Sequence, residues 1–158
     1  MPTRKRATAP DAIALLKKDH KKVRGLLKKL ESSAMRGAKS AQQLLQQIDK
    51  EVKIHSQVEE EIFYPAFHEA AKTKDQNKLF FEAKEEHHVV DVVMPEVSDY
   101  KNNEDFAARA KVLKELIEHH ADEEEKEMFP AAKKLLGRDE LRELGQRIKE
   151  RKRELGAE

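Results

Sequence analysis

Seven polar side chains fall where a helical interior should be apolar. His20, His55, Glu59, His87, Asp91, His120 and Glu124 keep the three-and-four spacing of the leucines, valines and isoleucines around them, which is the spacing that gathers residues on one helix face. An unpaired carboxylate in such a place costs several kcal/mol, against about 5–15 kcal/mol for a whole fold. Four imidazoles and three carboxylates on inward stripes therefore need compensation, from one another or from a cation. Imidazole nitrogen combined with carboxylate oxygen suits first-row transition metals such as iron, manganese and zinc. Calcium and magnesium would want oxygen donors alone.

The spacing sharpens this chemistry. Glu59 follows His55 by four residues, Glu124 follows His120 by four, and Asp91 follows His87 by four. Such pairs sit one above the other on a helix and aim both donors into one small volume. His20 has no such partner, since position 24 is arginine. On the third helix the inward phase falls between Val90 and Asp91, and His88 competes with His87. The echo of Lys-Asp-His20 in Glu-Glu-His87 favours His87. His119 points about 100° away from its neighbour His120 and is read as surface, as is the partly exposed His68.

A longer echo joins the second helix to the fourth. The stretches from His55 to Pro65 and from His120 to Pro130 align without a gap: the histidines, the glutamates at 59/60 and 124/125 and the prolines coincide. A duplicated helix pair would set the site on a pseudo-twofold axis, and two metals bridged by two carboxylates is its natural occupant. Glu60 and Glu125 either orient the imidazoles or stand in water. Phe63, Tyr64, Phe67 and Phe129 are read as core around the centre, and the alignment of Tyr64 with Phe129 makes the Tyr64 hydroxyl incidental. Prolines at matching places predict a bend late in each helix.

The elements that must carry these residues are all helical. Residues 1 to 10 are polar and basic and read as a disordered tail. Helical patterns follow from Asp11 to a stop at Gly37, from a new cap at Ser40, after punctuation at Thr73, Asp75 and Asn77, and after Asn102 and Asn103 to a stop at Gly137. Comparable lengths and short connections predict an all-α, up-down four-helix bundle over residues 11–136. Residues 137–158 predict an additional polar C-terminal helix whose apolar seam is Leu141, Leu144, Ile148 and Leu155; its basic stretch from Arg147 to Arg153 is read as a solvated face.

Composition agrees and excludes. The 158 residues are 40% charged and 38% hydrophobic, with 5% aromatics and five glycines, a helical mix. A net charge of +1 gives no general pull toward nucleic acid. The absence of cysteine removes disulfides, thiolate metal sites and thiol catalysis. No apolar run approaches a membrane span, and the basic start is followed by no apolar segment of a secretory signal. A cytoplasmic protein is expected. The zincin His-Glu-x-x-His is missing, and ferritin-like di-iron bundles need two Glu-x-x-His spacings where this chain has one, Glu85-x-x-His88.

The ordered set His20, His55-x-x-x-Glu59, His87-x-x-x-Asp91 and His120-x-x-x-Glu124, with the Glu-Glu-x-x-x-Phe/Tyr-Pro continuations, resembles the hemerythrin-like (HHE cation-binding) proteins. The resemblance implies two iron ions with a bridging oxo or hydroxo group, manganese or zinc being alternatives. It implies Glu59 and Glu124 as bridges, His20 and His55 on one ion, and His87, His120 and Asp91 on the other. Oxygen carriers of the family have histidine where Asp91 stands and an aspartate bridge one residue beyond Glu124. The expected function is therefore to bind or sense a small ligand (O₂, NO or peroxide) or to handle iron. A redox enzyme reducing peroxide or NO or oxidising iron is the alternative, and a metal-stapled interaction bundle the third. Counting donors leaves one coordination position open, on the His20/His55 side. No nucleic-acid or membrane partner is expected, and no docking site for a redox partner is recognisable.

Overall fold

The computed structural model describes residues 9–36 and 38–157. Most of the expected N-terminal tail and the expected stop at Gly37 lie outside the described residues. Helix α1 spans Ala12–Ser33 and α2 spans Ala38–Val58. A π-helical turn, Glu59–Phe63, continues α2 into α3, Tyr64–Ala70. Helix α4 spans Lys74–Val97 and α5 spans Asn103–Glu123. A second π-turn, Glu124–Met128, leads into α6, Phe129–Glu154. The four rods form the expected up-down bundle, with an additional C-terminal helix.

Local chemistry sets the boundaries. The Asp11 carboxylate accepts from the Ala14 N–H at 2.8 Å and starts α1. Thr73 and Gln76 form a reciprocal capping box for α4, and Asn102 caps α5 through Asp105 N–H. Each cap satisfies an N–H that the helix leaves unpaired. Ser40 lies inside α2, which begins two residues before the expected cap. At Gly137 the backbone takes φ 77°, ψ 170°, a conformation glycine adopts without Cβ strain. It divides α6 into a segment that completes the fourth rod and the separate C-terminal helix of residues 138–154.

The interior consists of two apolar clusters with a polar layer between them. Val23, Leu27, Ile48, Met94, Phe106 and Leu113 belong to one cluster. Leu16, Phe63, Phe67, Met128 and Phe129 belong to the other, together with Leu141, Leu144 and Ile148 from the C-terminal helix. At about 1.5–3 kcal/mol for each large buried side chain, these clusters hold the rods while His20, His55, Glu59, His87, His120 and Glu124 stay buried between them. The C-terminal seam packs on Ala12 and Ile13 of α1, so the polar helix is part of the core.

The two π-turns explain the matching prolines. Proline has no N–H and its ring clashes with the carbonyl four residues back. The Tyr64 N–H reaches Glu59 O and the Phe129 N–H reaches Glu124 O, one residue further than in an α-helix. The expected late bend is thus a widened turn just before each proline. Residues five apart, Glu59 with Tyr64 and Glu124 with Phe129, then share a face.

Candidate metal centre

Six of the seven expected residues converge. His55 Nε2 and His87 Nε2 each lie 3.1 Å from Glu59 Oε1. His20 Nε2 lies 3.1 Å and His120 Nε2 3.3 Å from Glu124 Oε1. Each glutamate therefore spans one imidazole from each half of the bundle. His87 Nε2 and His120 Nε2 are 3.0 Å apart. The donor atoms form two groups, His20/His55/Glu59/Glu124 and Glu59/His87/His120, that share Glu59.

The seventh residue does not join them. Asp91, expected as a terminal ligand, is exposed on the wall of a groove between α2 and α4, and Val90 takes the inward phase. The stripe Ala83, His87, Val90, Met94 and Val97 keeps an apolar side chain in the core and a carboxylate in water, which avoids a desolvation cost with no partner. His88 and His119 are exposed, as expected, and His68 is exposed and stacks on Phe80 at 4.2 Å.

Tyr64 corrects the sequence reading. Its hydroxyl donates to Glu124 Oε2 at 2.8 Å. It also lies 3.1 Å from His87 Nε2 and 3.3 Å from both His120 Nε2 and Glu59 Oε1. The π-turn brings it onto the Glu59 face. Phe129, its counterpart, stacks on His20 with centroids 5.8 Å apart, as Tyr64 stacks on His87 at 5.2 Å. One half of the site thus has an oxygen where the other has a hydrocarbon ring.

A ring of carboxylates holds the imidazoles from behind. His55 Nδ1 donates to Asp19 at 3.0 Å, His120 Nδ1 to Glu86 at 2.8 Å and His20 Nδ1 to Glu125 at 3.0 Å. Glu60 stands 3.7 Å from His87 Nδ1, beyond a hydrogen bond. Glu125 is tied in turn to Arg24 at 2.7 Å. Lys152 of the C-terminal helix binds Asp19, and Arg151 binds Glu61 at 2.8 Å, so the basic stretch is not wholly solvated. The pattern is two-fold: Asp19 and Glu86 precede His20 and His87 and support the imidazoles of the next rod. Asp19 and Glu86 were missed, although the echo of Lys-Asp-His20 in Glu-Glu-His87 contained them.

Electrostatics show strain in the protein's own groups. Burial opposes charge on His55, but Glu59 and Asp19 outweigh it and raise its pKa to about 10. Burial likewise opposes charge on His120, and Glu124, Glu59 and Glu86 hold its pKa well above the usual value. Burial would raise Glu59, but His55 and other neighbours hold it well below the carboxylate range. Burial and then repulsion from Glu59 push Glu124 up. Burial, followed by the charges of Glu124 and Glu59, pushes Tyr64 well above its ordinary value.

The donor set fits a metal. Donors at right angles around an ion at about 2.1 Å lie about 3.0 Å apart, close to the inter-donor distances above. Among the described residues, His55 Nε2, Glu59 Oε2 and His87 Nδ1 are buried without a hydrogen-bond partner, the last of them on the Glu60 side of its ring. His55 Nε2 is close to Glu59 Oε1, yet the two make no hydrogen bond. Orphaned polar atoms of this kind are rare unless something else binds them.

A profile of the hemerythrin HHE cation binding domain matches residues 11–132. This chain belongs to that family. A crystal structure of a hemerythrin HHE cation binding domain-containing protein from Mycobacterium kansasii is similar to this hemerythrin-like domain, with a TM-score of 0.78 and 27% identity over 92% of this chain and 87% of that one. No curated protein matches the sequence. The hemerythrin-like domain thus has a His/Glu cluster able to hold a metal. Among its described residues no helix is long and apolar enough to cross a membrane.

Proposed function

We propose that this hemerythrin-like domain holds two iron ions and uses them to bind or sense a small ligand, O₂, NO or peroxide. The observation that carries the reading is the paired span of the two glutamates: Glu59 reaches His55 and His87, and Glu124 reaches His20 and His120. His20 and His55 would hold one ion, His87, His120 and Tyr64 the other, with Glu59 and Glu124 between them. When bound, such a pair supplies Lewis acidity and one-electron redox chemistry.

The chain's own residues decide what reaches the centre. A cavity of about 30 Å³ lies against the four imidazoles, walled by Val23, Val52, Val90 and Ile117. That is room for a water or a diatomic molecule. Val52, Ser56 and Val90 line this cavity and also the larger groove between α2 and α4, which makes them the thin wall through which a small ligand would pass. The Phe129 ring on His20 offers no donor, so an ion held by His20 and His55 would have a position left for a small ligand. Asp19, Glu86 and Glu125 keep the imidazole Nε2 atoms turned inward by accepting from Nδ1.

Tyr64 favours a second reading, a redox enzyme acting on peroxide, NO or ferrous iron. A phenol oxygen beside a cation loses its proton, and an anionic oxygen donor stabilises the higher metal charge. Supplying iron to the purified chain, measuring iron per chain and the absorption spectrum, and then mixing the reduced protein with O₂, NO or peroxide tests both readings. Two irons per chain with a ligand-dependent spectrum are expected, and catalytic consumption of ligand selects the enzyme. A chain that takes up no iron, or one ion only, ends the proposal.

A further inference from the structure

We propose that the cleft between α1 and the C-terminal helix binds a small, multiply charged oxyanion of the phosphate type. The cleft has a volume of about 600 Å³, within the roughly 300–1,000 Å³ of small-ligand sites. Lys18, Lys21 and Lys22 line it from α1, and Lys149, Lys152 and Arg153 from α6. Both triplets have the spacing i, i+3, i+4, so each helix turns a three-cation face toward the other.

Only Asp19 and Glu51 oppose them in the lining. Six cations against two carboxylates leave a local excess of four positive charges, in a chain whose whole net charge is +1. Glu51 pairs with Lys22 at 2.7 Å and Asp19 with Lys152. Lys18, Lys21, Lys149 and Arg153 make no ion pair among the described residues. Like charges at these spacings repel within each helix and again across the cleft. Packing of the C-terminal seam does not require that arrangement, because Leu141, Leu144 and Ile148 already dock the helix. An anion between the two faces removes the repulsion.

Lysine ammonium groups are point charges suited to phosphate oxygens approached from several sides. The concave shape favours a small anion over an acidic protein face. The six cations gather in one cleft and are not drawn out along the extended basic track that a nucleic-acid strand needs. The cleft meets the metal centre at Asp19, which lines it and also accepts from His55 Nδ1.

Calorimetric titration of the full, iron-loaded chain with inorganic pyrophosphate tests the proposal at about 0.15 M ionic strength, with iron content measured after each run. Saturable binding of one pyrophosphate per chain is expected. It should weaken about tenfold or more in Lys18→Glu/Lys149→Glu and strengthen in Glu51→Gln, a gain that damaged folding would not produce. The double variant Lys28→Glu/Lys101→Glu, with the same charge change at exposed positions outside the cleft, should bind like the parent. Absence of saturable binding would overturn the proposal. So would equal loss in the two double variants, or an acidic protein partner that pyrophosphate fails to displace.

Discussion

Tyr64 and Phe129 stand at matching places in the two halves of the bundle, and only Tyr64 brings an oxygen to the centre, 2.8 Å from Glu124. Replacing it by phenylalanine makes the halves alike. Tyr64 is fully buried, and Tyr64→Phe keeps the ring, so the fold should persist. The expected loss is specific: iron-loaded Tyr64→Phe should lack any visible phenolate-to-iron band. It should also bind one of its two ions about tenfold more weakly, the worth of one charge-assisted contact. An unchanged spectrum and unchanged metal titration would reduce the hydroxyl to a neighbour.

Asp91 gives the opposite expectation. It is exposed, with Val90 turned inward, so Asp91→Ala should leave metal content unaltered and stability within about 0.5 kcal/mol. Glu124→Gln should lose bound metal, because its Oε1 lies within reach of both His20 and His120. Metal analysis of the two purified variants checks this pair. Depletion in Asp91→Ala would restore the aspartate to the site.

The contrast between these residues shows what the sequence could tell. Six residues of the buried cluster were legible because each breaks an apolar stripe in phase, and breaking a core stripe is costly enough to demand a reason. Asp91 was misread because 3.6-residue periodicity leaves Val90 and Asp91 almost equally inward, and only the packing of α4 decides. Tyr64 was undervalued for a related reason. Five residues from Glu59, it would face away on a regular helix, and the π-turn that returns it is visible in sequence only as a glutamate five residues before a Tyr-Pro pair. Lys152 was beyond reach, since its tie to Asp19 depends on how the helix after Gly137 docks.

Asp19 lies between Lys152 and His55 and should govern the imidazole. Asp19→Asn removes the carboxylate that accepts from His55 Nδ1 at 3.0 Å. Loss of such an outer partner typically costs about 10–100-fold in metal affinity. In the metal-free protein the pKa of His55 should fall from about 10, since Asp19 is one of the groups that raise it. Imidazole titration by NMR and competitive metal titration read the two effects. A variant that leaves both unchanged would remove Asp19 from the site.

Metal-free protein should lose stability as the solution becomes alkaline. The folded pKa of His55, about 10, exceeds its ordinary 6.5, so its contribution is complete below about pH 6.5 and disappears as pH rises through about 10. Glu59 has the opposite sign: its pKa is depressed, and its contribution disappears as pH falls below about 4.5. Urea midpoints should therefore be highest between these limits. Metal must displace the His55 proton, so affinity should rise from pH 7 to 10, with proton release detectable in buffers of different ionisation enthalpy. A flat midpoint from pH 6.5 to 10 would contradict the charge assigned to His55.

Gly145 and Gly25 should respond oppositely to alanine. A Cβ at Gly145 would lie 2.8 Å from Pro10 O and 2.9 Å from Ala12 N, backbone atoms that cannot step aside. Gly145→Ala should therefore cost about 1–3 kcal/mol as an overpacked contact, and the strain falls where the C-terminal helix meets α1. At Gly25, inside α1, nothing lies within 4 Å, and alanine should stabilise by about 1 kcal/mol through helix propensity. Thermal melts measure the signs. Hydrogen exchange locates the first effect: amides of 138–154 should open more readily in Gly145→Ala, and Lys152 should loosen its hold on Asp19 with them. Undiminished protection there would mean that the C-terminal helix is held by its leucine seam alone, without the close backbone approach at Gly145.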